Sequence, residues 1–155
     1  MFNAIKNLWS MGPRPATTSP LGNLSPDLQK ATTVLLLEVT RADLRVINTE
    51  LKEVETAIGN AFRLSPEEAA KLLKVAEQAQ HDKRTVERLG RLIDTSLSLD
   101  QKKQVVELLW TIALGDARLE RDEDYMVRKI ARWLSLNHID VIGAKLKAEV
   151  NLQNR

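Results

Sequence analysis

Apolar residues along the chain recur every three or four positions, which is the spacing of one face of an α-helix. A clear example lies between residues 105 and 113, where Val105, Val106, Leu109 and Ile112 would share a face. No segment keeps the strict alternation that is typical of a half-buried strand. The pattern predicts an all-α protein with seven helices, near residues 25–40, 48–62, 65–80, 82–95, 98–113, 121–134 and from 137 onward.

Five of the predicted helices begin with residues that favour helix N-termini. Ser65 precedes Pro66 and stands three residues before Glu68, so a hydroxyl, a first-turn proline and a capping-box glutamate occur together. The N-cap residues of the five helices are Ser25, Ser65, Asp82, Ser98 and Asn137. These signals set the helix starts independently of the apolar pattern.

The beginning of the chain differs from the remainder. Residues 1–9 predict a short amphipathic helix, with apolar positions Phe2, Ile5, Leu8 and Trp9. Residues 11–24 contain three prolines and two glycines among small polar residues, a composition that interrupts helices. We therefore predict an N-terminal arm, residues 1–24, followed by one helical domain, residues 25–151.

The amphipathic segment 1–9 has two alternative uses. It could dock on its own domain or on a protein partner, or it could make a weak contact with a membrane surface. A segment this short has few apolar groups to bury and one lysine, Lys6, so membrane anchoring would be weak. Docking on protein is the favoured interpretation.

Composition narrows the classes of function. Hydrophobic residues make up 43% of the chain and charged residues 28%, as in a folded globular domain, and there is no cysteine. Disulfides, thiolate catalysis and thiolate zinc sites are therefore excluded. The formal charge of +2 is too small for a strong polyanion binder, and we expect no nucleic-acid partner. No signal-like or membrane-spanning run occurs, which favours the cytoplasm.

The most informative feature is an internal duplication. Residues 31–62 align with residues 104–135 at an offset of 73 residues. The matching pairs include Leu35 with Leu108, Leu36 with Leu109, Val39 with Ile112, Asp43 with Asp116, Glu50 with Glu123 and Val54 with Val127. Each half reads as a helix, then Asp-x-x-(Val/Leu)-x-x-x-Glu, then a helix. The duplication predicts two helix pairs with equivalent acidic connections.

These acids have two interpretations. Each Asp could accept backbone N–H groups in its connection while each Glu caps the next helix and complements the helix dipole. Alternatively, the carboxylates could hold a hard cation, and Ca²⁺ or Mg²⁺ would suit an all-oxygen ligand set. The spacing is not that of an EF-hand.

The segments Leu35–Asp43 and Leu108–Asp116, each continued to its Glu, resemble the TerB-like family of bacterial tellurite-resistance-associated helical domains. The similarity extends from about Ser25 to Glu149. It implies a bundle of about seven helices and a role in stress or metal-oxyanion response. It also implies that the family's metal-binding acids correspond to Asp43, Glu50, Asp116 and Glu123, and we add Glu38, one turn before the first connection.

The sequence departs from the family at the connections themselves. Family members usually place glycine after the Asp of each connection. Here Leu44 and Ala117 follow, while Gly115 precedes the second Asp.

The remaining candidates are expected to be structural. Arg84, Arg88 and Arg91 form a basic stripe that we interpret as a solvated face. His81 and His138 adjoin helix starts and are interpreted as surface or capping-region residues. The aromatic residues Trp110, Trp133 and Tyr125 are expected to pack in the core with polar tips at its rim.

The sequence thus favours a non-enzymatic, TerB-like stress module with a protein partner and with Ca²⁺ or Mg²⁺ at its acidic connections. One alternative is a protein-interaction or co-chaperone-type module, in which the acids only cap helices. The other is a metal-dependent hydrolase, which needs an open cavity beside the acids.

Overall fold

The computed structural model describes residues 21–42, 48–79, 81–115 and 121–154. These residues form seven α-helices and no strand: α1 (Pro26–Ala42), α2 (Asn48–Phe62), α3 (Pro66–Gln78), α4 (Lys83–Ser96), α5 (Leu99–Ala113), α6 (Arg121–Trp133) and α7 (His138–Gln153). The all-α prediction is confirmed, and the helix bounds lie close to the expected ones. The predicted helix over residues 1–9 falls outside the described residues.

The N-terminal caps lie where the sequence places them. The Ser65 hydroxyl accepts the Glu68 N–H at 3.1 Å, and the Glu68 carboxylate accepts the Ser65 N–H at 2.8 Å. Ser98 and Gln101 form the same reciprocal pair at the start of α5. Single side-chain caps at Ser25, Asp82 and Asn137 begin α1, α4 and α7. Local chemistry therefore accounts for five of the helix starts.

Helix α1 lies at the centre of the bundle. It packs against α2, α3, α4, α5 and α6, and all but one of its residues between Ala31 and Thr40 are buried. Three of the buried residues are threonines, and their hydroxyls donate to the carbonyls of the preceding turn: Thr32 to Leu28, Thr33 to Gln29 and Thr40 to Leu36. The helix can therefore be enclosed without leaving these hydroxyls unsatisfied.

Helix α7 completes the bundle by packing on α5. Trp110 of α5 is fully buried, and its indole N–H donates to the carbonyl of Val141 at 3.1 Å. Trp133 of α6 is partly buried, as expected. The expectation is wrong for Tyr125, which is exposed because it lies on the solvent side of α6. No helix in the described part is long and apolar enough to cross a bilayer.

Two helical glycines, Gly90 and Gly143, allow the effect of side-chain packing on stability to be measured separately from the effect of helix propensity. Gly90 of α4 faces Trp133, and a Cβ at position 90 would lie 3.0 Å from the Trp133 ring and 3.2 Å from its Cβ. Gly143 of α7 has no heavy atom within 4 Å of such a Cβ. We expect Gly90→Ala to lower the free energy of unfolding by about 1–2 kcal/mol through overpacking, despite alanine's better helix propensity.

Gly143→Ala is the matched control. It should raise the free energy of unfolding by about 0.5–1 kcal/mol, because only the propensity gain applies. Urea denaturation monitored by circular dichroism measures both. Equal stabilities for the two variants would contradict the close α4–α6 contact.

Candidate metal site at the acidic interhelical connections

The two helix pairs of the duplication are present. Helices α1 and α2 form the first pair, and α5 and α6 form the second. Glu50 lies in the first turn of α2 and Glu123 in the first turn of α6, as the repeat predicts. Asp43 and Asp116 fall outside the described residues, so their roles as ligands stay predictions.

Glu38 of α1 contacts a histidine that the sequence interpretation left at the surface. The His81 side chain is 10% exposed, and its Nδ1 lies 2.6 Å from Glu38 Oε2. Its Nε2 lies 2.9 Å from the carbonyl oxygen of Ala76. The surface interpretation of His81 is therefore wrong, because the ring is enclosed between α1 and the end of α3. Its position beside the N-cap residue Asp82 is as expected.

Both ring nitrogens of His81 face acceptors. A protonated imidazole donates to both of them, whereas a neutral ring donates to one. At least one oxygen of Glu38 is engaged in this contact, which joins elements 43 residues apart along the chain. Glu38 thus has a structural partner, and its assignment as a metal ligand stays a prediction.

Glu123 is the most deeply buried acid among the described residues. It is 4% exposed, although it lies in the first turn of α6 beside Asp122 and Asp124, the other acids of that turn. Negative charge in this turn complements the positive end of the helix dipole. Arg128 neutralises part of it by donating to Asp124 at 2.7 Å.

A further carboxylate reaches the second connection from the first helix pair. Glu53 of α2 lies against Gly115, which follows the end of α5, and a Cβ at position 115 would overlap Glu53 Oε2. The same Cβ would approach the Thr111 carbonyl to 3.3 Å. Gly115 is therefore what allows this approach. Glu53 lies outside the repeated acidic motif and is not among the ligands predicted from sequence. Its one sequence signal is the glycine directly before the second Asp, which indicates a close approach at that position but not the residue that makes it.

The carboxylate groups near the connection between α5 and α6 are of the kind that binds a hard cation. Glu53 and Glu123 flank the connection that contains Asp116, and carboxylate oxygens are the ligands that Ca²⁺ and Mg²⁺ favour. Both carboxylates also interact with other groups of the protein. Within the described ranges, no three acids or histidines are grouped tightly enough to hold a metal. Asp116 would have to supply the third carboxylate ligand.

Two surface grooves lie away from these acids. One of about 450 Å³ is lined by α4 residues and another of about 530 Å³ by residues of α5 and α7. None of Glu38, Glu53 and Glu123 is among the residues that line them.

The Glu38–His81 contact predicts a measurable energetic coupling. His81→Ala should lower the free energy of unfolding by about 2 kcal/mol, because it leaves a largely buried carboxylate without its partner. A double-mutant cycle with Glu38→Ala should give a coupling of about 1–2 kcal/mol. The control is the exposed Lys52–Glu55 pair at 3.3 Å, whose coupling should stay below about 0.5 kcal/mol. Equal couplings for the two pairs would contradict a structural role for His81.

Comparison with known proteins identifies the family. The family model for tellurite resistance protein TerB matches residues 29–146, which include all or part of each of the seven helices. No curated protein and no solved structure matches the chain. Since the matched region covers more than half of the chain and confirms the resemblance seen in the duplicated segments, the chain belongs to the TerB family of tellurite-resistance-associated proteins.

Proposed function

We propose that the protein is a non-enzymatic, cytoplasmic stress-response module that binds Ca²⁺ or Mg²⁺ at the connection between α5 and α6. Glu53, Asp116 and Glu123 would supply the carboxylate ligands. The observation that carries the proposal is the approach of Glu53 to Gly115, because it brings an acid from α2 to a connection that already contains two acids in sequence.

The first connection supports a strong site less well. Asp43 and Glu50 occupy the positions equivalent to Asp116 and Glu123, but the third acid there, Glu38, contacts His81. The imidazole engages one oxygen of Glu38, so Glu38 could give a cation only its other oxygen without losing that hydrogen bond. We therefore assign the stronger site to the second connection.

The cation would act by joining helices. A ligand from α2 and ligands before and within α6 would connect the two helix pairs through one ion. Binding would also offset the repulsion among the acids of residues 120–124, which include four carboxylates. In this proposal the bound cation makes the acidic segment 120–124 and the helices beside it more rigid. This acidic surface then docks to a protein partner only when the cation is bound.

Isothermal titration with CaCl₂ and MgCl₂ tests the site directly. Asp116→Asn and Glu53→Gln should each weaken binding at least about tenfold, because each removes one charged ligand. Asp43→Asn is the matched control, since it makes the same change at the equivalent position of the first connection. It should leave the strong site intact. No heat with either cation, or equal losses for Asp43→Asn and Asp116→Asn, would overturn the assignment.

Gly115→Ala gives a test that changes no ligand. Its Cβ would displace the flexible end of Glu53, so binding should weaken about tenfold while the melting temperature without cation stays within about 5 °C of the parent. The φ angle at Gly115 is not positive, so alanine is tolerated by the backbone. Titration and thermal denaturation of the same sample measure both quantities. Unchanged affinity would show that Glu53 is not a ligand.

A further inference from the structure

Helix α7 is apolar on two sides. Val141, Ala144 and Ala148 are buried against the bundle. On the outer side Ile139 is 79% exposed, Leu146 57% and Val150 53%. Spacings of seven and four residues align these three side chains along one face. We call Ile139, Leu146 and Val150 the outer stripe of α7.

The stripe borders a groove between α5 and α7. One part of about 530 Å³ includes Ile139 and Gly143, and a second part of about 280 Å³ includes Leu146 and Val150. Glu107 and Lys147 line both parts, so the two parts adjoin at these side chains. Three of the seven large apolar side chains that are exposed among the described residues lie on this one helix, a concentration typical of binding surfaces.

The groove also offers negative charge. Asp100, Glu107 and Asp140 line it, and Lys103 lies 3.6 Å from Asp140. Burial raises the pKa of Glu107, although Lys147 opposes the shift and Asn151 donates to its carboxylate at 3.0 Å. Lys103 and Lys147 also line the groove, so its carboxylates exceed its ammonium groups by one, and a single cation on an incoming apolar segment would balance that charge.

The chain itself carries a segment with these properties. Residues 1–9 place four apolar residues at helical spacing, and Lys6 is their one charged side chain. A helix over these residues would be about 13 Å long, and the outer stripe extends over about 17 Å. Length, apolarity and charge therefore match the groove.

The intervening chain is about as long, when fully extended, as the domain is wide. The described part begins at Leu21, which is fully buried in the bundle. Residues 10–20 extend up to about 36 Å, whereas a domain of this size has a radius of gyration of about 14 Å. A tether of this length gives an effective concentration of about 1 mM, so a tethered segment outcompetes a second copy of the chain at micromolar concentration.

We propose that residues 1–9 dock as a helix in the groove between α5 and α7, with Phe2, Ile5, Leu8 and Trp9 on the outer stripe and Lys6 toward Glu107. The N-terminal arm is then an intramolecular cover for the exposed face of α7. Docking does not depend on a bound cation, because the acidic connections contribute no residue to the groove.

Engineered disulfides test the docking, since the chain contains no cysteine. Ile5→Cys combined with Leu146→Cys places one thiol at the centre of each apolar face. In oxidised glutathione the pair should form an intramolecular disulfide at least about tenfold faster than the matched pair Ile5→Cys with Val75→Cys, because the sulfurs must come within bonding distance. Val75 is an exposed apolar residue of α3, outside the groove. Non-reducing gels over a range of protein concentrations give the rate and the reaction order.

A third substitution checks that the apolar face is responsible. Val150→Asp in the Ile5→Cys and Leu146→Cys protein should reduce the rate about tenfold, to that of the Val75 pair, while circular dichroism shows an unchanged fold. Concentration-dependent disulfide dimers would show that a second copy covers the stripe and would overturn the proposal. Equal rates for the Leu146 and Val75 pairs would also overturn it, because the arm would then sample both surfaces alike.

Discussion

The burial of α1 on nearly every side governs the arrangement of the other helices. Five helices pack around it, so each must present an apolar stripe inward and leave its polar side to solvent. Burial of such a helix is stable only if its polar side chains find partners, and the hydroxyls of Thr32, Thr33 and Thr40 bond to its own carbonyls. At Glu38 the enclosure includes a carboxylate, and the partner is His81 from the α3–α4 connection.

The two halves of the duplication keep their helix pairs but differ at the positions that decide their chemistry. Glu38 of the first half is replaced by Thr111, whose hydroxyl donates to the Glu107 carbonyl at 2.9 Å. Ala42 is replaced by Gly115, which admits the Glu53 carboxylate. The first pair therefore directs its extra acid toward His81, and the second pair receives one from α2. The two halves therefore differ in the additional carboxylates that lie near the ends of their first helices.

Sequence reasoning succeeds here where the determining interactions are local. Helix bounds follow from the apolar period, and starts follow from caps such as Ser65 with Glu68, because both depend on residues within one or two turns. The contacts of His81 with Glu38 and of Glu53 with Gly115 join residues far apart in sequence, and no periodicity specifies them. The exposure of Tyr125 has the same origin, since an apolar residue on a helix becomes buried only if another element covers that face.

The burial of Glu123 exceeds what helix capping requires. Glu68 completes the capping box of α3 while it remains exposed to solvent, so that role needs no loss of hydration. Glu123 occupies a comparable position in the first turn of α6 but is almost fully removed from water. Desolvation of a carboxylate is unfavourable unless hydrogen bonds or an opposite charge offset it. Glu123 interacts with other groups of the protein, which offsets part of this cost, and a divalent cation shared with Glu53 and Asp116 would be an additional favourable charge under the proposed function.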